Sequence, residues 1–397
     1  MRRRGLLALI GSAPAATVLG GCAAPAVNPP LGTGDLGVVI ERSRGAVALV
    51  NTSSRTLLAE IEGLGDLSHA SVVFSRDGAC AYVFGRDGAL TKLNLLAQRI
   101  EARVQQAGNS IGGAISQDGT LVAAQNYTPG GVKVFDARTL ALVADIPAEV
   151  APGKLSRVVG LADLPGQRFV FSLFDADAIW IADLSDRARP RITKLEGIGR
   201  QPYDALITPD GRHYIAGLFG EDGLALVDLW DDAPRARRIL SGYGRGEQAL
   251  PVYKMPHLRG WAVAGRQAYL PAIGRHEVLV VDTATWLEVG RIPVAGQPVF
   301  VMAQPDGRQV WVNFAVPDYD RVQVIATPTQ RVVQTLSPGK AVLHMEFTPR
   351  GEAVWISSRD ANRVSVVATH SFETLATLAI DSPSGVFFTS RAARIGL

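Results

Sequence analysis

The sequence predicts an all-β protein, an eight-bladed β-propeller closed by pairing of its N- and C-terminal strands. Three observations predict it. Strand-ending turns with a glycine recur at Gly78, Gly119, Gly166, Gly211, Gly265, Gly307 and Gly351, at successive gaps of 41, 47, 45, 54, 42 and 44 residues, each close to one four-stranded blade. Between these turns apolar residues alternate along short runs bounded by Asp-Gly and Pro-Asp-Gly, the pattern of antiparallel strands. With 47% hydrophobic and 19% charged residues, 41 glycines and 23 prolines, the 397-residue chain can bury a large core and turns often.

Taken in order, the chain starts with "MRRRGLLALIGSAPAATVLGGCAA", a basic head and a short apolar run ending in small residues before Cys22. This is an export signal over residues 1–21. "LGGC" has the form of a bacterial lipobox that would make Cys22 a lipidated first residue; an ordinary signal with an incidental cysteine is the alternative. Arg2 to Leu7 weakly resembles a twin-arginine signal, leaving Sec and Tat export both open. Residues 22–36 read as a tether, and the propeller is placed at 37–392. Localisation is expected in the periplasm, lipid-anchored to a membrane, and no later segment is long and apolar enough to cross one.

"LGVVIERSRGAVALVNTSSRTLLAEIEG" supplies only three strands. Seven blades then start near Ala70, Gly112, Val158, Asp204, Met255, Phe300 and Leu343, and the last six carry strands of the "VKVFD" kind: "GGVKVFDARTL", "DAIWIADLSD", "GLALVDLWDD", "HEVLVVDTATW", "DRVQVIATPT" and "NRVSVVATHS". The closing "SGVFFTSRA", Ser384 to Ala392, is a lone strand that completes the three-stranded first blade and hides its edges, favouring eight blades over seven.

Charge and cysteine content narrow the function. Removing residues 1–21 takes away Arg2, Arg3 and Arg4 and no acid, so 37 acidic residues then face an equal number of basic ones. Such a chain has no bulk electrostatic reason to seek nucleic acid. Cys80 alone would remain, in an apolar strand pattern that predicts a buried, inert thiol. No C-x-x-C-H occurs, so no c-type haem is attached, and no Cys/His spacing suits zinc.

In a propeller the starts of the innermost strands surround one mouth of the central channel. His69, Arg157, Tyr203 with Asp204, and His257 stand at such starts, and Arg42, Arg86 and Tyr127 near turns that flank them. A histidine there either ligates a central metal or lines the channel, bonded to backbone. His213, His276 and His370 fall in turns or outer strands, and His344 reads as a half-buried strand residue. Arg42, Arg86, Arg157 and Arg200 either hold a planar polycarboxylate, whose groups their forks match bidentately, or are solvated turn residues. No Ser-His-Asp order, nucleotide-binding glycine loop or paired-carboxylate motif stands out.

"LSHASVVFSRDGACAYVFGRDGALTKLNL" resembles the segment of the cytochrome cd1 nitrite reductase family that carries the histidine ligand of d1 haem. "AAQNYTPGGVKVFD", "RQPYDALITPDGRHYI", "MPHLRGWAVAG", "EFTPRGEAVWIS" and "SPSGVFFT" follow in the family's order, so the likeness spans about residues 37–392. The resemblance implies His69 as axial ligand to the haem iron and Arg42 and Arg86 as holders of d1 carboxylates. It places Tyr127 and Arg157 on matching pocket segments, with Arg200 a further cofactor-binding arginine. Tyr203 stands where the reductase has one distal histidine, His257 lies near the other, and Val72 replaces a carboxylate-binding arginine. Loss of one of the two distal imidazoles, at Tyr203, argues against nitrite reduction, and lack of a c-type haem motif argues against the reductase and the related dihydro-haem d1 dehydrogenase.

The expectation is therefore a protein that binds haem d1 or a late precursor non-covalently during haem d1 biosynthesis for denitrification. If it is catalytic, a tetrapyrrole-modifying step would use Tyr203, Asp204 and His257 for proton transfer. The alternative is a non-catalytic haem d1 carrier or protein-docking scaffold. Expected partners are other haem d1 maturation proteins, nitrite reductase, the membrane through a lipid on Cys22, and a second copy of the chain as homodimer.

Overall fold

Period-two alternation explains how this chain builds a large core without a central one. In strand Leu36–Glu41, Val38 and Ile40 face one way and Val39 the other. Val38 and Ile40 pack with Val72, Phe74 and Val83 of the next sheet, whereas Val39 packs with Trp355 and Val366 of the last. Every sheet repeats this two-sided packing, and eight apolar clusters fill the wedges between consecutive sheets until the ring closes. Such strands read as near-continuous apolar runs because both faces are covered.

The computed structural model describes residues 31–243, 261–272 and 274–394. It contains eight four-stranded antiparallel sheets, numbered here as blades 1 to 8. Blade 1 unites Leu36–Glu41, Ala46–Asn51 and Thr56–Ile61 with the C-terminal strand Pro383–Phe388, which takes the innermost place. The innermost strands of blades 2 to 8 are Ser71–Phe74, Asn109–Ile115, Val158–Leu164, Pro202–Ile207, Ala262–Ala264, Pro298–Ala303 and Val342–Phe347. The eight-bladed closure is as the sequence predicts, and six of its seven blade starts fall within three residues of these strands. The seventh, Met255, lies outside the described residues.

All seven recurring turn glycines adopt φ between +60° and +79°, left-handed backbone that favours glycine. The fold begins earlier than expected. Asp35 O accepts from Thr52 N at 2.7 Å and Thr33 O from Thr389 Oγ1 at 2.6 Å, so residues 33–36, read as tether, belong to the propeller. The sequence also did not reveal the hairpin Glu149–Ala151 and Lys154–Leu155 between blades 3 and 4, which lengthens one repeat. Among the described residues no helix is long and apolar enough to cross a membrane.

Bulges in the innermost strands aim side chains into the channel. Register shifts between Val159 and Ala162, Pro202 and Ala205, and Pro298 and Val301 lift residues out of the ladder near the strand starts. Side chains satisfy the freed amides: Leu161 N donates to Gln125 Oε1 at 2.8 Å and Phe300 N to Asn313 Oδ1 at 2.9 Å. Gly160 (φ +62°) is required in the first of these, because a Cβ there would meet Ala205 Cβ at 2.8 Å and Tyr214 Oη at 2.9 Å.

Candidate functional site

The mouth at the innermost-strand starts gathers most of the expected residues that the description covers. Tyr203 and Asp204 occupy the bulge between Pro202 and Ala205, which turns them out of the ladder toward this mouth. Tyr127, at the end of the second strand of blade 3, meets Tyr203 hydroxyl to hydroxyl at 2.6 Å. Burial pushes both phenols above their ordinary range, and the Asp204 carboxylate adds to the push on each. Both stay neutral hydrogen-bond donors through the physiological range. In a phenol pair one hydroxyl donates to the other, and the acceptor keeps a proton to offer a third group.

Arg86 lies beside this pair, its guanidinium 5.8 Å from the Tyr127 ring centre. Its backbone ties the loops together: Arg86 N donates to Asp66 O at 2.8 Å, and Ser110 N to Arg86 O at 3.4 Å. His69 follows on the Asp66 loop and is exposed. Ser68 donates to the Asp66 carboxylate, which lowers its pKa, and the charges of Arg86 and Arg42 lower it further. His69, Arg42 and Arg86 are thus assembled around one short loop. Arg42 enters by chain closure, its N donating to Ser382 O at 3.2 Å.

Two expected arginines are less free than the sequence implied. Arg157 forks onto Asp175, Nε to Oδ2 at 3.0 Å and Nη2 to Oδ1 at 2.6 Å, and lies 4.1 Å from the Phe174 ring centre. Arg200 turns away to Glu221 (3.5 Å), with 67% of its side chain exposed. Its expected place among the carboxylate holders is corrected to the edge of the mouth. His257 lies outside the described residues. Cys80 is half-buried rather than buried, its Sγ 3.9 Å from Glu101, and desolvation raises its pKa.

Several features of this mouth were missed. Phe174 and Phe219 form an aromatic wall with Tyr203, ring centres 5.8 to 6.2 Å apart. Phe174 and Phe219 each follow a second strand, as Tyr127 ends one, so a periodic search at that repeat position would have found all three. Ser71 Oγ and Asn109 Oδ1, at the first residues of two innermost strands, are buried without a hydrogen-bond partner, as is Glu41 Oε2 beside Arg42. His344, by contrast, is structural: its Nδ1 accepts from Val386 N at 3.2 Å, and burial pushes its pKa down to about 3.

A flat ligand carrying carboxylates fits these residues. Aromatic faces cover a ring, and the Arg86 and Arg42 forks match acid groups. Among the described residues no group of three His, Cys, Asp or Glu could hold a metal ion by itself.

The model of the Cytochrome D1 heme domain family matches residues 31–392. Protein NirF of Pseudomonas aeruginosa is 61% identical over 384 residues, covering 96% of this chain and 97% of that one. Protein NirF of Stutzerimonas stutzeri is 61% identical over 374 residues, 94% and 96% of the two chains. The solved structure of dihydro-heme d1 dehydrogenase NirN in complex with DHE superimposes with a TM-score of 0.78 at 26% identity, covering 91% of this chain and 76% of that one.

Proposed function

The chain belongs to the Cytochrome D1 heme domain family, and from that premise we propose that it is a periplasmic, lipid-anchored protein that binds haem d1 or a late precursor non-covalently and takes part in a late step of haem d1 biosynthesis. One observation carries the reading: Arg86, the Tyr127–Tyr203 pair and the aromatic wall of Phe174 and Phe219 lie together beside the loop that carries His69. The NirN structure contains a ligand within the same fold class, which supports a ligand here too.

His69 would ligate the iron, standing exposed on its loop. Arg42 and Arg86 would hold side-chain carboxylates, and Arg157, fixed by Asp175, would present its remaining N–H groups beside Phe174. When bound, the tetrapyrrole would supply the redox chemistry. The Tyr127–Tyr203 pair would donate one hydrogen bond toward the ring, and Asp204 would accept a proton passed through the pair.

Absorbance titration tests the reading. The soluble domain should shift the spectrum of added haem d1 at one equivalent, and His69→Ala should change the band positions. Failure to bind any haem d1 or precursor at high micromolar concentration would overturn it. Incubation with a purified precursor then separates a maturation enzyme, which alters its mass, from a carrier, which returns it unchanged.

A further inference from the structure

The candidate mouth is not electrically uniform. Over blades 1 and 2 stand Arg42, Arg86 and His69, and the charges of Arg42 and Arg86 both act on the loop carboxylate of Asp66. Over blades 3 to 5 stand Tyr127, Tyr203, Arg157 and the rings of Phe174 and Phe219. On this second arc the cation has its own carboxylate. Asp175 accepts three hydrogen bonds from Arg157: from the backbone N at 3.0 Å, from Nε at 3.0 Å and from Nη2 at 2.6 Å.

The local fold fixes both partners. Arg157 precedes the innermost strand of blade 4 and Asp175 follows its second strand, where Phe174 N donates to Arg157 O at 3.1 Å. Asp175 N donates to Ser156 Oγ at 3.0 Å, and that hydroxyl donates to Arg157 O at 2.9 Å. The guanidinium lies 4.1 Å from the Phe174 ring centre, and 45% of the Arg157 side chain is exposed. With Nε and one Nη2 hydrogen committed to Asp175, the second Nη2 hydrogen and both on Nη1 are left for a guest. Lys154, on the exposed hairpin, acts on Asp175, and Asp204 acts on the two phenols. These four charges balance. The arc over blades 3 to 5 thus offers N–H and O–H donors with no net charge behind them.

We propose that this arc binds an uncharged hydrogen-bond acceptor of the guest, a carbonyl-type oxygen, and that Asp175 sets the preference by neutralising and orienting Arg157. Asp175 is a positioning residue, acting through Arg157. A carboxylate is the poorer partner there, because its attraction to Arg157 is offset by repulsion from the Asp175 carboxylate on the same guanidinium. A neutral acceptor meets the same N–H groups without that repulsion. The acid groups of the guest turn instead toward Arg42 and Arg86, and the two arcs together hold it in one orientation. This inference rests on the function proposed above and says which edge of the guest each arc takes.

Absorbance titrations with haem d1 and with its methyl ester, whose acid groups carry no charge, test it. Arg86→Met should weaken the free acid about tenfold and the ester less than about threefold. Arg157→Gln should weaken both forms alike, by about fivefold. Asp175→Asn should raise the acid-to-ester affinity ratio about threefold or more over the parent, a change that loss of a structural contact alone does not produce. Urea unfolding checks that each variant is folded, and either of the last two variants decides by itself. A loss confined to the free acid in Arg157→Gln, no loss there with either form, or an unchanged ratio in Asp175→Asn would refute this inference alone. A parent that binds neither form would refute the proposed function along with it.

Discussion

The two mouths of the channel use the same residue types to opposite ends. At the mouth opposite the candidate site, Arg76 donates to Ile115 O at 2.9 Å, to Ser116 O at 2.8 and 3.1 Å, and to Ala392 O, and it pairs with buried Asp163 at 3.5 Å. Arg391 forks onto buried Glu346, Nε to Oε1 at 2.8 Å, and lies over Phe387. These two arginines knit blades 1, 2, 3, 4 and 8 into a floor. At the site mouth, Arg86 faces a tyrosine ring and a loop carboxylate. An arginine at a strand end is therefore not by itself a binding group; what distinguishes the floor is that its forks meet deeply buried carboxylates.

The floor offers the largest effect by which this contrast can be broken. Arg391→Met strands the Glu346 carboxylate with 4% of its side chain exposed, so unfolding in urea should show a loss of about 3–5 kcal/mol. Adding Glu346→Gln should recover much of it. A loss under 1 kcal/mol would mean that the floor is no stronger than a surface pair.

At the site mouth the same substitution should act on binding instead. Arg86→Met is expected to weaken haem d1 binding by about 1.5–3 kcal/mol, tenfold or more, with stability changed by no more than about 0.5 kcal/mol. Isothermal titration and urea unfolding on one preparation separate the two effects.

His344 sharpens the boundary between them. Its ring sits beside Phe387, centres 5.4 Å apart, and stays neutral in the folded protein down to about pH 3. An unfolded histidine gains a proton near pH 6.5, so below that value the unfolded state binds more protons and stability falls as pH falls. Between pH 7 and pH 5 this group should cost up to about 2 kcal/mol, and His344→Gln should flatten that part of the profile. The smallest effect belongs to the tyrosine pair: Tyr127→Phe removes one hydrogen bond worth about 1 kcal/mol of stability. It should add nothing further when Tyr203→Phe is already present.

The repeats were legible because turn glycines and apolar alternation are local signals. Gly78 and its six counterparts declared blade number, and the lone strand at Ser384 declared closure. The bulges were not legible, since the register shift that turns Tyr203 and Asp204 outward depends on the neighbouring strand. Nor was the state of each arginine: Arg157 and Arg86 look alike in sequence, and only Asp175, eighteen residues from Arg157, makes them different. Phe174 and Phe219 were not singled out, although their place at the strand end matches that of Tyr127.

The most direct test compares haem d1 affinity across the two mouths. Absorbance titrations of the parent, Arg86→Met and the floor variant Arg391→Met/Glu346→Gln should give tight binding, weakened binding and parent-like binding in that order. If the floor variant lost the ligand while Arg86→Met kept it, the guest would occupy the other end of the channel and the assignment of the site would be wrong.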